Sequence, residues 1–193
     1  VLSVSKREVI VDIGAATTPQ TESPVHTTLG LCLSKGDRFD WAIQKATELG
    51  VGAVTPLYSE RVDFSIPPDR IKKRVAHWRQ IVISACEQCG RVSIPAVSSP
   101  QPLEQWVQSV AAEQKWVLHC DDHGATRSGV SKEVPVDAAL LSGPEGGLTD
   151  QEVARACENS FEVLQLGPRV LRTETAPVVA LSALSVMWGE MPG

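Results

Sequence analysis

No stretch of this sequence approaches the roughly 20 consecutive apolar residues that a membrane-spanning helix needs. Cysteine is sparse and uneven. The five thiols at Cys32, Cys86, Cys89, Cys120 and Cys157 are an odd, scattered set in 193 residues, which points to a reducing compartment, the cytoplasm. Cys86 and Cys89 form a CxxC, but no second ligand pair stands at zinc spacing. The motif also ends a helical pattern, whereas a thioredoxin-like pair opens a helix after a strand. No metal site is expected. Positive charge is short as well: a net charge of −5 argues against nonspecific coating of DNA, although a local basic stripe could still act on RNA. Lysine is missing from the one glycine-rich turn, "GPEGGLT", so the turn is not a Walker A loop.

What is present suits one medium domain. Hydrophobic residues make up 42%, enough for a full core, and charged residues make up 21%, too few for wholesale disorder. Residues 1–22 read as the end of a different unit. "VLSVSKREVIVDI" is β-rich with a hairpin turn at Ser5–Glu8, not a signal peptide, and "GAATTPQTESP" reads as linker. Two strands are not stable alone, so partner strands are expected upstream, and the chain opens without an initiator Met, as a fragment would. Residues 23–193 form the main domain.

There, strands alternate with helices. Strands are expected at "VHTTLGLCLS", "VGAVTPLYS", "VSIPAV", "KWVLHC", "DAALLSG" and "FEVLQLG". Helices are expected at "RFDWAIQKATELG", with Gly50 past its end, at "PDRIKKRVAHWRQIVISACEQCG", and at "PLEQWVQSVAA". Two more follow, at "TDQEVARACEN", with Thr149 and Glu152 as a capping box, and at "ETAPVVALSALSVMWG". A polar loop, "DDHGATRSGVSKE", follows "KWVLHC". This order predicts an α/β fold: a mostly parallel sheet with helices on both faces. The five tryptophans fall on apolar-periodic stretches and are expected in the core or an interface.

Ligands of such sheets bind beyond the carboxyl ends of strands. "LLSGPEGGLTDQEV" breaks from an apolar strand into a glycine turn and then a helix. Its glycine spacing is not that of a Rossmann fingerprint, and Glu145 would repel a pyrophosphate. The turn suits a ligand that is neutral or cationic at the contact, held by backbone polar atoms. "LGPRVLRTETAPVVAL" repeats the pattern: strand, Gly167-Pro168, an irregular segment carrying Arg169 and Arg172, then a helix. Two such turns at neighbouring strand ends could enclose one cofactor.

These two stretches resemble the ribosomal RNA small subunit methyltransferase E family. "KGDRFDWAIQKATELGVGAVTPLYSERV" and "WRQIVISACEQCGRVSIPAV" match it too, in order, across residues 25–188. The resemblance implies a SPOUT-type domain with a C-terminal trefoil knot, and makes residues 1–22 the remnant of an N-terminal PUA-like RNA-binding β-barrel. It implies S-adenosylmethionine as cofactor, N3 of a uridine in 16S rRNA of the small ribosomal subunit as methyl acceptor, and a homodimer, to which the apolar last helix would contribute. The implied cofactor pocket draws on Leu118 and His119, on Leu141, Gly143, Pro144, Glu145, Gly146 and Gly147, and on Leu166, Gly167, Leu171, Thr175 and Ala176.

N3 of uridine must lose its proton before it can attack. Arg172 is the first candidate to hold the resulting negative charge, Arg169 the second, and Glu174 a candidate base, with His119 an alternative acceptor. Local positive charge lies on Arg70, Lys72, Lys73, Arg74, Arg79 and Arg91, opposed only by Glu87 within residues 70–91. Lys73, Arg74 and Arg91 are therefore expected RNA contacts, together with Lys35, Arg38 and Arg61 near turns. Two other functions remain open at this level: a noncatalytic RNA-binding module on the same fold, and a nucleotide-binding phosphotransferase.

Overall fold

The computed structural model describes residues 1–17, 19–120 and 133–191. Strands β1 (Ser3–Val4) and β2 (Val9–Ile10) form a small antiparallel hairpin, closed at Ser5–Glu8 as expected, with its side chains exposed. The main sheet contains β3 (His26–Cys32), β4 (Ala53–Tyr58), β5 (Ala96–Val97), β6 (Gln101–Pro102), β7 (Gln114–Leu118), β8 (Asp137–Ser142) and β9 (Glu162–Leu164). Its order is β5-β4-β3-β8-β7-β9, with β6 also beside β4, and every described pairing in it is parallel.

Alternation along the central strands builds two cores. Leu29 and Leu31 of β3, Trp116 of β7 and Leu140 of β8 point to one face, where α1 (Arg38–Glu48), α2 (Pro68–Cys89) and α5 (Thr175–Met187) cover them with Phe39, Trp78 and Leu181. Cys32, Val117, Ala139 and Leu141 point the other way, toward Trp106 of α3 (Leu103–Ser109) and Ala156 of α4 (Asp150–Glu158). A two-residue period feeding both faces is what a doubly covered parallel sheet requires. No described helix is long and apolar enough to cross a membrane.

Local signals account for most element ends. The capping box of Thr149 and Glu152 forms as expected, and Glu152 also accepts the backbone N–H of Glu60 at 2.8 Å. Three expectations shift. "VSIPAV" pairs only at Ala96–Val97, leaving Val92 and Ile94 exposed. Gln101–Pro102 adds a short strand that the Pro signal concealed. Trp41 is half-exposed, while the other four tryptophans are buried. Residues 121–132 of the polar loop expected after Cys120 lie outside the described residues. Cys86 is buried near the end of α2, and burial raises its thiol pKa, so Cys86 is no ready thiolate.

Candidate cofactor site

Because the sheet is parallel, the carboxyl ends of β8, β7 and β9 open side by side at one rim. A cavity of about 620 Å³ lies there, within the size range of small-molecule sites. Part of its lining is apolar: Leu118 ends β7, Leu164 ends β9, and Leu166, Leu171 and Ala176 follow.

The glycine turn forms one side. Gly147 has φ +70°, which an L side chain rarely adopts. A Cβ on Gly143 would stand 3.0 Å from Leu148 Cγ and 3.2 Å from the Leu148 nitrogen, so the turn folds tightly only with glycine there. Arg61 secures the turn from outside, donating from Nη1 to the Gly146 carbonyl at 2.6 Å. The second Gly-Pro turn forms the opposite side. The two are joined by Thr173, whose hydroxyl donates to the Gly143 carbonyl at 2.7 Å.

The carboxylates are arranged by cations. Glu145 Oε1 accepts Arg38 Nη1 at 2.7 Å and the backbone N–H of Lys35 at 3.0 Å. Burial pushes the Glu145 carboxyl toward protonation, but its own backbone amide, that of Lys35 and the Arg38 guanidinium outweigh this and lower its pKa. The repulsion expected from Glu145 is thus largely neutralised by Arg38. Glu174 is mostly buried and sits between Arg38 Nε at 4.0 Å and Arg172 Nη1 at 3.9 Å. Its Oε2 is buried and accepts no hydrogen bond among the described residues.

The structure brings most of the expected pocket together. Leu118, His119, Gly143, Pro144, Glu145 and Gly146 line it, as do Gly147, Leu166, Leu171 and Ala176. Arg169, Arg172 and Glu174 stand at its mouth and wall. Three expected residues fall elsewhere. Leu141 is fully buried in the α3–α4 core, because it lies on the inward register of β8. Gly167 and Thr175 shape the second turn and the start of α5 without lining the cavity. Sequence reasoning missed Cys120, Ser142, Leu148, Leu164, Val170 and Thr173 as pocket residues; the strand-end positions of Ser142 and Leu164 were the available signal.

The expected RNA contacts divide. Arg38 and Arg61 belong to the cavity rim. Lys35 reaches Asp63 at 2.6 Å. Lys73 is exposed on α2, and Arg74 lies over the Trp78 ring and 3.6 Å from Asp40. Arg91 is a correction. Its side chain is 5% exposed, and it binds Glu22 and the carbonyls of Thr47 and Val51, so it ties the linker to the domain instead of facing RNA. Among the described residues, no group of three or more His, Cys, Asp or Glu could hold a metal ion.

The family described as "RNA methyltransferase domain" matches residues 21–185. The ribosomal RNA small subunit methyltransferase E of Bacillus subtilis is 36% identical over 190 residues, spanning 95% of this chain and 74% of the relative. That of Buchnera aphidicola from Schizaphis graminum is 35% identical over 170 residues, 88% of this chain and 69% of the relative. A ribosomal RNA small subunit methyltransferase E from Neisseria gonorrhoeae, solved bound to S-adenosyl methionine, superposes with TM-score 0.80 at 39% identity, covering 89% of this chain and 70% of that one. A Legionella pneumophila protein in complex with the same cofactor gives TM-score 0.80 at 41% identity, over 86% of this chain and 67% of that one. Matched along nearly its whole length, and with both Gly-Pro turns set around one cavity, the chain belongs to the ribosomal RNA small subunit methyltransferase E family.

Proposed function

We propose that this chain uses S-adenosylmethionine to methylate N3 of a uridine in the 16S rRNA of the small ribosomal subunit. The observation that carries this reading is the cavity between the two tied turns, in a chain of this family. The cavity fits the cofactor: apolar side chains for a flat base, main-chain polar atoms of the glycine turn, the Glu174 carboxylate and, among the described residues, no lysine in its lining.

Bound there, S-adenosylmethionine supplies a methyl group carried on a cationic sulfonium. Leu118, Leu166 and Leu171 would flank the adenine, and the backbone of residues 143–147 would hold the polar edge. The uridine N3 proton passes to the Glu174 carboxylate, and the negative charge left on the neighbouring carbonyl oxygens is held by Arg172. Arg169, exposed beside it, grips an RNA phosphate. The exposed cations Arg70, Lys72, Lys73 and Arg79 on α2 extend the phosphate track.

Several further features follow from this reading. Residues 1–22 are the remnant of a PUA-like β-barrel, supported by the uncovered apolar side chains of the β1–β2 hairpin, Val4, Val9 and Ile10. Residues 23–193 are a SPOUT domain whose C-terminal segment forms a trefoil knot. The return of the chain from the edge strand β9 to Thr173, against the turn after the inner strand β8, supports that path. A homodimer is supported by the outer face of α5, where Val179, Ala183, Val186 and Met187 are exposed beside one another on an apolar helix. The cytoplasm, where ribosomes are built, is the fitting compartment.

Calorimetry with S-adenosylhomocysteine and with ATP, followed by labelled-methyl transfer to unmodified small-subunit RNA and nucleoside mapping, tests the reading. Binding of the first ligand alone and label on N3 of uridine are expected. ATP binding would favour a phosphotransferase, and cofactor binding without transfer would leave a noncatalytic RNA-binding module.

A further inference from the structure

The cavity walls come from the second half of the chain, yet two side chains from the first half, Arg38 and Arg61, close the rim. Arg38 stands in the first turn of α1. Its Nη1 donates to Glu145 on the glycine turn at 2.7 Å, and its Nε lies 4.0 Å from Glu174 at the start of α5. The backbone N–H of Lys35, just before α1, reaches the same Glu145 oxygen at 3.0 Å. One guanidinium therefore spans the two sides of the pocket and ties both to α1, which packs beside α5 on the same face of the sheet.

The charge arrangement gives this strut a purpose. Glu174 has two cations in ion-pair range, Arg38 and Arg172. Arg172 is 79% exposed and free to swing, whereas Arg38 is held by its bond to Glu145. If Arg172 alone balanced Glu174, it could not also meet charge developing on a substrate. A fixed second cation removes that conflict, because Glu174 keeps a counter-charge when Arg172 turns away. Preorganised charge of this kind acts at the reacting centre without moving during the reaction.

Resting on the methyltransferase reading above, we propose that Arg38 is a positioning residue of the cofactor site: it holds Glu145 against α1 and gives Glu174 a fixed counter-ion, so that Arg172 is released to the substrate. It is not an RNA grip.

The test compares the wild type with Arg38→Ala, Arg38→Lys and Glu145→Gln, reading kcat, KM for S-adenosylmethionine and KM for small-subunit RNA separately, with thermal melting alongside. Arg38→Ala is expected to lower kcat/KM for the cofactor by about 10- to 100-fold, since small displacements at a reacting centre cost that much, while KM for RNA and the melting temperature stay as in the wild type. Arg38→Lys should restore part of the loss, because one ammonium lacks the planar fork that reaches two carboxylates. Glu145→Gln should weaken cofactor binding more than it lowers kcat. A rise in KM for RNA with normal cofactor parameters would overturn the proposal in favour of an RNA contact. Unchanged parameters throughout would make the pair idle, and a loss that follows the melting temperature would make it structural. If the wild type itself transferred no methyl group, the parent reading would fail instead, and that outcome is separate from any result on the variants.

Discussion

The hydroxyl of Thr173 donates a 2.7 Å hydrogen bond to the carbonyl oxygen of Gly143, joining two turns thirty residues apart in the chain. Neither turn is part of a helix or strand, and each would otherwise present loose backbone. The bond fixes the width of the cavity between them. It also explains why Thr173 is buried although it follows exposed residues at the approach to α5.

Thr173→Val should therefore weaken S-adenosylhomocysteine binding about 10-fold, because losing the bond and leaving the Gly143 carbonyl without its partner costs about 1–3 kcal/mol. Thr173→Ser keeps the hydroxyl and should stay near the wild type. Titration calorimetry of the two variants checks this; equal affinities would show that the turns hold their spacing without the bond.

Arg172→Ala should reduce turnover about 100-fold or more while leaving cofactor affinity within about 3-fold, the pattern of a group that acts on developing charge. Its side chain is mostly in solvent, so the melting temperature should not move. Single-turnover transfer measured beside equilibrium binding separates the two quantities.

Arg91→Ala should act on stability and not on RNA. The substitution breaks the pair with Glu22 and strands the carbonyls of Thr47 and Val51, for a loss of about 2–4 kcal/mol. The Glu22 carboxyl is pushed up by burial, but the Arg91 hydrogen bond and the amides of Ser93 and Val92 prevail and lower its pKa. A lowered folded-state pKa adds stability above the unfolded value, and that part is lost as pH falls through the folded value. The wild type should thus lose melting temperature below about pH 4.5, and Arg91→Ala should show a flatter acid limb.

Lys72→Glu with Lys73→Glu should weaken RNA binding and lower the slope of log affinity against log salt by about 0.7–0.9 for each phosphate no longer neutralised. Cofactor binding should be untouched. An unchanged slope would place the RNA on another face of the molecule.

Much of this architecture is legible in the sequence because its signals are local. Apolar strands running into Gly-Pro, the Thr149–Glu152 capping box and the 3.6-residue stripe of α2 each fall within a few residues. What escapes is set by distant partners. Nothing near Arg91 announces Glu22, so a cation at a turn looks like an RNA contact when it is a buried clasp. Arg38 and Arg61 look alike in sequence for the same reason, although they meet Glu145 and Gly146 across more than eighty residues. Leu141 shows a finer limit: the end of a strand is visible, but which face its last residues address depends on a one-residue register. Thr173 is hidden between an arginine and a glutamate with more obvious chemistry.

The register of the central sheet has a consequence for how the chain is born. His26 pairs with Asp137 and Leu31 with Ser142, so the middle of the sheet cannot close until more than a hundred further residues have left the translating ribosome. Closing so long a loop precedes any reward from the contacts it brings. The turn from Gly167 to Thr173 arrives later still. The cofactor cavity, lined from Arg38 to Ala176, therefore takes shape only after both halves of the chain have been made.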